Sequence, residues 1–404
     1  MNVGIESISL YVPRFALELS ELAIHRGVSP TKFPKGLGQD RMAVPAPDED
    51  VVTMGANAAH QALEGVDRDA IDTVIFATES GIDQSKAASI YVHRLLGLSS
   101  RCRTFEVKQA CCSSTAALQM ALSTVMMRPE RKVLIIASDV ARYGLGSPGE
   151  PTQGGGAIAM VISADPKVAV VDPEIGVFTD DVMDFWRPNY KDEALVDGKY
   201  SIKVYLQALE HSWDDYVQES GRSFGDFHRF CYHLPFTRMA EKGHVHLARH
   251  TGEKLSREEL MPQVEDGLLY NRIIGNCYTA SLYLGLLSML EHSDEDLAGQ
   301  RLGLFSYGSG CMGSFFSLRV QAGYREALQT DLHQRLLAER ASLSMEEYEA
   351  FYSHRLPTDG SDYQTPKTAT GLFRLAGVEA HKRCYERLEH ACSPKEADRV
   401  LASA

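Results

Sequence analysis

No Cys-x-x-Cys pair occurs in this chain of 404 residues, although it contains eight cysteines. Scattered cysteines of this kind suit neither a disulfide framework nor a zinc site. We therefore expect reduced thiols and no bound metal. The eight cysteines occupy positions 102, 111, 112, 231, 277, 311, 384 and 392.

Long apolar runs are also missing, since none approaches the roughly 20 residues that span a bilayer. The first ten residues lack the basic start and the apolar core of a signal peptide, and they resemble a strand instead. These absences predict a cytoplasmic protein without a membrane partner.

Basic residues are scarcer than acidic ones, with 41 Lys and Arg against 54 Asp and Glu and a formal net charge of −13. An acidic surface repels nucleic acid and anionic membranes, so we expect neither as a partner. An anionic substrate would need a local basic patch. The chain is long enough for two units with their own cores or for one large fused α/β domain.

Low-complexity segments and short repeats are absent, and short β-branched runs alternate with helical patterns. Such alternation predicts crossover connections and a mainly parallel, buried sheet. We expect residues 166–200 to be irregular and the tail after Tyr324 to be charged and helical. Predicted strands are 72–78, a run ending at 110, 132–138, 156–163, 230–233, 301–306 and 314–320, and predicted helices are 85–96, 113–127, 202–219, a run after 237, and 278–290.

Residues 105–119 are the most informative segment, because two adjacent cysteines lie where an extended run passes into a helix. Cys111 or Cys112 would there face unpaired backbone N–H groups at the positive end of the helix dipole. We expect such a thiol to have a lowered pKa and to be a good nucleophile. A cysteine that only fills the core is the alternative.

Two titratable residues follow predicted strands. Glu79 comes directly after the strand 72–78, and the carboxyl ends of parallel strands carry the sites of open α/β folds. A partly desolvated carboxylate there is suited to general acid–base chemistry, whereas a helix cap or a solvated charge is the alternative. His233 ends another strand and is placed to donate to a carbonyl oxygen, unless it is only hydrogen-bonded in place.

Three loops complete the candidate site. Asn276 lies at the start of a predicted helix, where its side chain could either cap the helix or orient a substrate carbonyl. The Gly-rich turn 305–313 could present backbone N–H groups as an oxyanion hole. The loop 144–156 is too rich in Gly and Pro for regular structure, and Tyr143 and Thr152 are its expected polar contacts.

Together these segments resemble the bacterial form of the hydroxymethylglutaryl-CoA synthase family, within the thiolase superfamily. The resemblance is collinear over roughly residues 1–320 and fades in the tail. It is carried by an ordered set of segments at 36–39, 54–59, 77–80, 110–111, 141–144, 149–153, 184–188, 196–198, 235–237, 275–276, 278–279 and 305–310.

The resemblance implies a role for each matching residue. Cys111 matches the acyl-accepting nucleophile, Glu79 the general acid–base, and His233 the residue that holds the acetoacetyl group. The other matching positions are substrate contacts: Asn276, Ser309, Tyr143 and Thr152 line the acyl site, Lys242 lies near the CoA entrance, and Ser201 is a further contact. Arg187 and Lys199 would add a local basic patch.

Two residues depart from the family pattern. The family usually has Tyr directly after the nucleophile, where this chain has Cys112. Glu241 stands before Lys242, where relatives are often basic.

The implied fold is a five-layer α/β/α/β/α thiolase-like architecture with two pseudo-duplicated halves. Residues 1–165 would carry Glu79 and Cys111, and residues 166–404 would carry His233 and Asn276 with a charged helical tail. The implied substrates are acetyl-CoA and acetoacetyl-CoA, with no cofactor beyond these thioesters, and the implied assembly is a homodimer.

The implied activity is the condensation of these two thioesters to 3-hydroxy-3-methylglutaryl-CoA, through an acetyl-S-Cys111 enzyme. The same condensation on acyl-carrier-protein substrates, in polyketide β-branching, is the alternative. Ketoacyl synthases do not share Glu79 in this context, and thiolases typically use a second catalytic cysteine. A non-catalytic thiolase-fold protein would have lost one of Cys111, Glu79 and His233.

Overall fold

The computed structural model describes residues 2–390, so the last part of the predicted tail, with Cys392, lies outside the described residues. The strands are β1 Gly4–Tyr11, β2 Phe15–Glu18, β3 Arg41–Val44, β4 Ile71–Ala77, β5 Arg103–Val107, β6 Lys132–Ala141, β7 Gly154–Ser163, β8 Ala169–Thr179, β9 Phe185–Trp186, β10 Leu195–Val196, β11 Arg229–Tyr232, β12 Arg301–Gly308, β13 Met312–Val320, β14 Ala341–Ser342, β15 Tyr363–Gln364, β16 Phe373–Glu379 and β17 Lys382–Arg387. The helices are α1 Leu19–His25, α2 Lys32–Leu37, α3 Val51–Ala62, α4 Ala88–Leu96, α5 Ser113–Met127, α6 Gly198–Ser220, α7 Arg238–His250, α8 Arg257–Leu260, α9 Leu269–Ile274, α10 Ser281–His292, α11 Thr330–Ala338 and α12 Met345–Ser353.

A nine-stranded sheet runs through the molecule in the order β11-β12-β13-β8-β1-β7-β6-β4-β5. Only the pairs at its two ends, β11–β12, β6–β4 and β4–β5, are parallel. The prediction of a mainly parallel sheet is therefore wrong. The reason is that β6 leads into β7, and β12 into β13, as antiparallel neighbours rather than through helical crossovers.

The main strands are buried on both faces, and their side chains point alternately into layers on either side of the sheet, which gives five layers. One face of β4, β6 and β7 packs against α3 and α4, and one face of β11, β12 and β13 packs against α6 and α7. The opposite faces of both sheet halves enclose α5 and α10 in a common core. This order of layers confirms the predicted α/β/α/β/α architecture.

Helix α5 begins and ends where the sequence predicts. With the three residues before it, it has the length and mean hydropathy of a membrane-crossing helix, but half of this segment is buried within the protein. Its apolar side chains therefore serve the central layer of the fold.

The two halves repeat each other around α5 and α10. Ala110 and Tyr278 precede these helices with left-handed φ angles of 43° and 42°. At the same relative position, Ser113 Oγ accepts from Gln109 N–H and Ser281 Oγ accepts from Cys277 N–H. The predicted duplication therefore extends to the hydrogen bonds of the helix N-termini.

Two predictions about local structure are wrong. Residues 166–200 are not wholly irregular, because β8 occupies 11 of them and pairs with both β1 and β13. Pro173 and Gly176 interrupt the strand pattern in the sequence, which is why the strand is not predicted. Gly176 is required by packing, because a Cβ there would lie 1.9 Å from Ser212 O in α6. The tail is not wholly helical either, because β15, β16 and β17 form a sheet.

A buried ion pair fixes this C-terminal sheet to the first half. Asp48 accepts from Arg374 Nε over 2.9 Å, and both side chains are almost fully buried. Asp48 also accepts from the backbone N–H groups of Thr368 and Ala369, at 3.1 and 2.9 Å. The Asp48 carboxylate therefore accepts hydrogen bonds from one guanidinium and two backbone N–H groups.

We predict that Asp48→Ala lowers the free energy of unfolding by about 3–5 kcal/mol, because the buried guanidinium of Arg374 would lose its buried partner and keep only the partly exposed Glu386. Urea denaturation measures this change. The matched control is Asp192→Ala, which breaks the exposed pair with Arg355 and should cost about 1 kcal/mol or less. Equal effects of the two substitutions would contradict the assignment.

Candidate active site

Two of the three residues predicted to carry the chemistry, Cys111 and Glu79, are in direct contact. Cys111 lies in the turn between β5 and α5, and Glu79 follows β4, the parallel neighbour of β5. Parallel strands bring their carboxyl ends to the same edge of the sheet. There Cys111 Sγ donates a hydrogen bond to Glu79 Oε1 over 2.9 Å.

The expected low pKa of Cys111 is contradicted. Burial raises the pKa of this thiol well above its usual value, and the carboxylate of Glu79 raises it further. The side chain is only 8% exposed, so the loss of solvation and the adjacent carboxylate outweigh the helix dipole. The resting group is consequently a thiol that needs a base, and the base is in contact with it.

Glu79 has the complementary property. Burial raises its pKa from 4.5 to about 8, with Asp139 contributing in the same direction, while the hydrogen bond from Cys111 and the charge of Arg187 oppose the rise. A carboxyl group that titrates close to neutral pH can both accept and return a proton. This raised pKa suits the predicted acid–base role of Glu79, and the role itself stays a prediction.

Asp139, near the end of β6, holds the Glu79 segment in place. Its fully buried carboxylate accepts from Thr78 Oγ1 at 2.8 Å and from the N–H groups of Glu79 and Ser80 at 2.9 Å. Its second oxygen accepts from Thr279 N–H at 3.0 Å, which ties the first half to the second. Sequence reasoning missed Asp139, because an acidic residue inside a strand carries no distinctive spacing.

We predict that Asp139→Asn shifts the pH profile of Cys111 alkylation to lower pH. The negative charge of Asp139 raises the pKa of both Glu79 and Cys111, so its removal lowers both. At pH 8 the alkylation rate should rise about three- to tenfold, because a larger fraction of the Cys111 thiol is then ionised. Mass spectrometry of the Cys111 peptide after iodoacetamide treatment measures the rate.

The control for this shift is Asp172→Asn, which alters a buried carboxylate bound to Arg301 and Ser317 in the other half. It should leave the profile unchanged. An unchanged profile in Asp139→Asn, or a shift to higher pH, would contradict the electrostatic role of Asp139.

The Gly-rich turn lies against the turn of the nucleophile. A Cβ on Gly308 would lie 2.4 Å from Gln109 O and 2.8 Å from Cys112 N, so only glycine permits this approach. The next residue, Ser309, lines the cleft beside Glu79. Ser309 thus lines the same cleft as Glu79, and its predicted contact with an acyl group stays a prediction.

Cys112, the residue that departs from the family pattern, faces away from the cleft. Its side chain is fully buried, and its Sγ accepts from Ser306 Oγ over 3.4 Å. It fills the interface between α5 and β12.

Asp184 connects the Gly-rich turn to the segment before α6. It accepts from Gly310 N–H at 2.9 Å, from the Tyr307 hydroxyl at 2.7 Å and from Ser201 Oγ at 2.8 Å. Ser201 is thus held by a buried carboxylate, and its predicted role as a substrate contact stays a prediction. Asp184 itself was not singled out as a site residue by the sequence.

Aromatic side chains enclose the nucleophile. Cys111 packs with Tyr278 and Phe185, and the Phe185 ring lies 5.7 Å from Tyr278 and 6.2 Å from Tyr143. Burial raises the pKa of the Tyr143 phenol, with the charges of Cys111 and Glu79 adding to the rise. The predicted Tyr143 is therefore at the site, together with two aromatic residues not predicted to have a role.

Thr152 and Asn276 lie next to each other, since Asn276 N–H donates to Thr152 O over 3.2 Å. The Asn276 Oδ1 accepts from Tyr278 N–H at 2.8 Å and from Ser281 Oγ at 3.0 Å. The side chain therefore caps the turn before α10, and its amide NH₂ is the group that can donate to a ligand.

His233 is buried at the end of β11, which occupies the same place in the second half as β4 does in the first. Its N–H donates to Phe305 O at 2.8 Å, and its carbonyl accepts from the Tyr205 hydroxyl at 3.0 Å. Burial lowers the pKa of the imidazole to about 3, so the ring is neutral. Within residues 2–390 its Nδ1 has no hydrogen-bond partner.

Lys242 lies on the exposed face of α7, where its ammonium group is 5.1 Å from the centre of the Phe236 ring. The neighbouring Glu241 pairs with Arg257. Its predicted place near a CoA entrance stays a prediction.

A cleft of about 1640 Å³ opens over Glu79, far larger than a two-carbon acyl group requires. Arg187 lines it and donates to Glu79 O, whereas Lys199 does not line it. The predicted basic patch is thus only partly present, because six Asp and Glu residues balance six Lys and Arg residues along the walls. In the described part of the chain, no group of three His, Cys, Asp or Glu side chains could hold a metal ion.

Comparisons with known proteins show the family of the chain. The model of the hydroxymethylglutaryl-coenzyme A synthase N-terminal domain matches residues 1–167, and that of the C-terminal domain matches residues 170–251 and 247–386. The chain is 43% identical to hydroxymethylglutaryl-CoA synthase of Enterococcus faecalis, over 89% of this chain and 94% of that protein. It is 35% identical to the polyketide biosynthesis 3-hydroxy-3-methylglutaryl-ACP synthase PksG of Bacillus subtilis, over 87% and 88%.

Solved structures show the same fold. A crystal structure of HMG-CoA synthase complexed with CoA superposes with a TM-score of 0.91 at 41% identity, covering 96% of this chain and all of that one. MvaS in complex with 3-hydroxy-3-methylglutaryl coenzyme A superposes with a TM-score of 0.88 at 36% identity, covering 96% and 99%.

Proposed function

The chain belongs to the hydroxymethylglutaryl-CoA synthase family, and we propose that it condenses acetyl-CoA with acetoacetyl-CoA through acetyl-S-Cys111. Hydrolysis of the enzyme thioester then gives 3-hydroxy-3-methylglutaryl-CoA and free Cys111, and CoA is the product of the preceding acetyl transfer. The observation that carries the assignment is the 2.9 Å contact between Cys111 Sγ and Glu79 Oε1, at the carboxyl ends of the parallel strands β4 and β5. The cycle uses the CoA thioesters as substrates and needs no further cofactor.

The first step is transfer of the acetyl group to Cys111. Glu79 accepts the thiol proton, the sulfur attacks the thioester carbonyl, and CoA leaves as its thiol after it takes a proton. A carboxyl group with a pKa of about 8 suits this exchange, because it is partly ionised near neutral pH.

The second step joins the two substrates. Glu79 removes a proton from the acetyl methyl group, and the resulting enolate attacks the ketone of acetoacetyl-CoA. The neutral imidazole of His233 and the amide NH₂ of Asn276 are the donors that would stabilise the developing alkoxide, which takes a proton from water to become the 3-hydroxyl group. Water then cleaves the Cys111 thioester and leaves a carboxylate on the product.

We predict that Glu79→Gln lowers the condensation rate by about 10²–10⁴-fold, the usual contribution of general acid–base catalysis, and slows acetylation of Cys111 much less. The reason is that a methyl C–H is a far weaker acid than a thiol, so its deprotonation depends much more on a positioned base. Glu79→Gln also removes a charge that raises the pKa of Cys111, which partly offsets the loss of the base for the thiol. Labelled acetyl-CoA with mass spectrometry of the Cys111 peptide measures acetylation, and product formation measures condensation. Equal losses in both steps would refute the separate role of Glu79.

The acceptor is CoA-bound in this proposal, since identity to the CoA-type relative is higher than to the carrier-protein type. Offering acetoacetyl-CoA and acetoacetyl-carrier protein separately distinguishes the two. Turnover only on the carrier-bound acceptor would move the chain to the polyketide class.

We propose a homodimer formed through β5, which is an edge strand of the nine-stranded sheet. Its residues are exposed or half-buried, and the exposed Met120 of α5 lies on the helix that follows it. An unpaired edge with adjoining apolar side chains is a surface on which a second copy can add its own strand.

The dimer proposal predicts that Thr104→Pro yields a monomer in sedimentation velocity, because proline removes a backbone donor from β5 and blocks edge pairing. The control is a proline in an edge strand of the separate C-terminal sheet, Gln364→Pro in β15, which should leave the dimer mass unchanged. A dimer that persists in Thr104→Pro would exclude this edge as the interface.

A further inference from the structure

Helix α12 lies in the tail, within the segment that the C-terminal family model matches, and it reaches the cleft beside Tyr143. It packs on the β2–β3 sheet through Phe351, whose ring meets Phe15 edge-on at 5.3 Å. Tyr348 and Tyr352 lie four residues apart on it, which places them on one face of the helix. Both rings line the cleft.

Tyr352 holds the carbonyl side of Tyr143. Its hydroxyl donates to Tyr143 O over 2.8 Å, and Glu193 Oε1 lies 3.2 Å from the same oxygen atom. The guanidinium of Arg142 lies 3.9 Å from the centre of the Tyr352 ring and donates to Tyr352 O. One side chain thus joins the end of β6 to the segment that carries Phe185.

Tyr348 holds the backbone N–H group of Tyr143 indirectly, through the side chain of Gln153. Its hydroxyl accepts from Gln153 Nε2 at 2.8 Å and donates to Glu150 Oε1 at 3.1 Å. Gln153 Oε1 in turn accepts from Tyr143 N–H at 2.7 Å. Glu150 is itself fixed by a bidentate pair with Arg26.

The two tyrosines therefore fix both backbone polar groups of Tyr143, whose ring lies against Phe185 beside Cys111 and Glu79. Beneath the ring, a Cβ on Gly149 would approach within 2.5 Å, so the ring is closely seated. A displacement of this segment would be transmitted directly to the phenol.

We propose that Tyr348 and Tyr352 are positioning residues for the condensation, which act by orienting Tyr143 toward the acyl group on Cys111. This inference rests on the proposed function. It assigns a role in the reaction to a C-terminal helix that supplies no reacting group.

The test uses Tyr348→Phe and Tyr352→Phe, which keep the rings and remove only the hydroxyls. We expect kcat for condensation to fall about ten- to a hundredfold, the scale of misplaced reacting groups, with KM for acetoacetyl-CoA within about twofold. The matched control is Tyr270→Phe, which removes a buried phenol that donates to Glu291 outside the cleft, and it should retain wild-type kcat. If Tyr348→Phe does not fold, Gln153→Met breaks the same link from the other side.

A double-mutant cycle separates positioning from general stabilisation. In a Tyr143→Phe background, the further loss on adding Tyr352→Phe should shrink to less than about twofold, because the group being positioned is gone. The same fold-loss in both backgrounds, or wild-type kcat in both single variants, overturns the inference. Failure of the proposed function would instead appear as a wild-type enzyme that forms no acetyl-Cys111.

Discussion

Removal of the Cys111–Glu79 pair from water is the constraint on which the rest of the site depends. In water the thiol and the carboxylic acid would titrate several pH units apart, so proton transfer from the thiol to the carboxylate would be unfavourable. Burial raises both pKa values and brings that of Glu79 to about 8, where it can exchange protons in both directions. The helix dipole before α5 is a smaller influence than this desolvation.

The duplicated fold excludes water from the Cys111–Glu79 pair and fixes the position of both residues. Because α5 and α10 share one core between the two sheet halves, the turns that precede them meet at the site. Asp139 ties the Glu79 segment to Thr279 of the other half, and Gly308 lets the Gly-rich turn touch the Cys111 turn. A site of this kind requires both halves, which explains why its residues are spread along most of the chain.

Residues placed by local pattern could be predicted from the sequence, whereas residues placed by tertiary packing could not. The bounds of α5 follow from its apolar spacing, and Glu79 follows from its position after a β-branched run. Strand β8 was missed because Pro173 and Gly176 hide a strand that α6 and β13 stabilise. The pKa of Cys111 was predicted with the wrong sign, since sequence shows the helix but not the burial. Asp139 and the α12 tyrosines contribute through contacts across more than 60 residues, which no local spacing reveals.

The most direct test of the central claim is the ionisation state of Cys111 at rest. The absorbance at 240 nm, where thiolates absorb, should be recorded between pH 5 and 10 for the wild-type protein and for Cys111→Ser. The account predicts no difference between the two at pH 7 and a difference that grows only above pH 9, because the resting residue is a buried thiol beside Glu79. A thiolate signal at pH 7 that disappears in Cys111→Ser would contradict it, and would return the helix dipole to the dominant role.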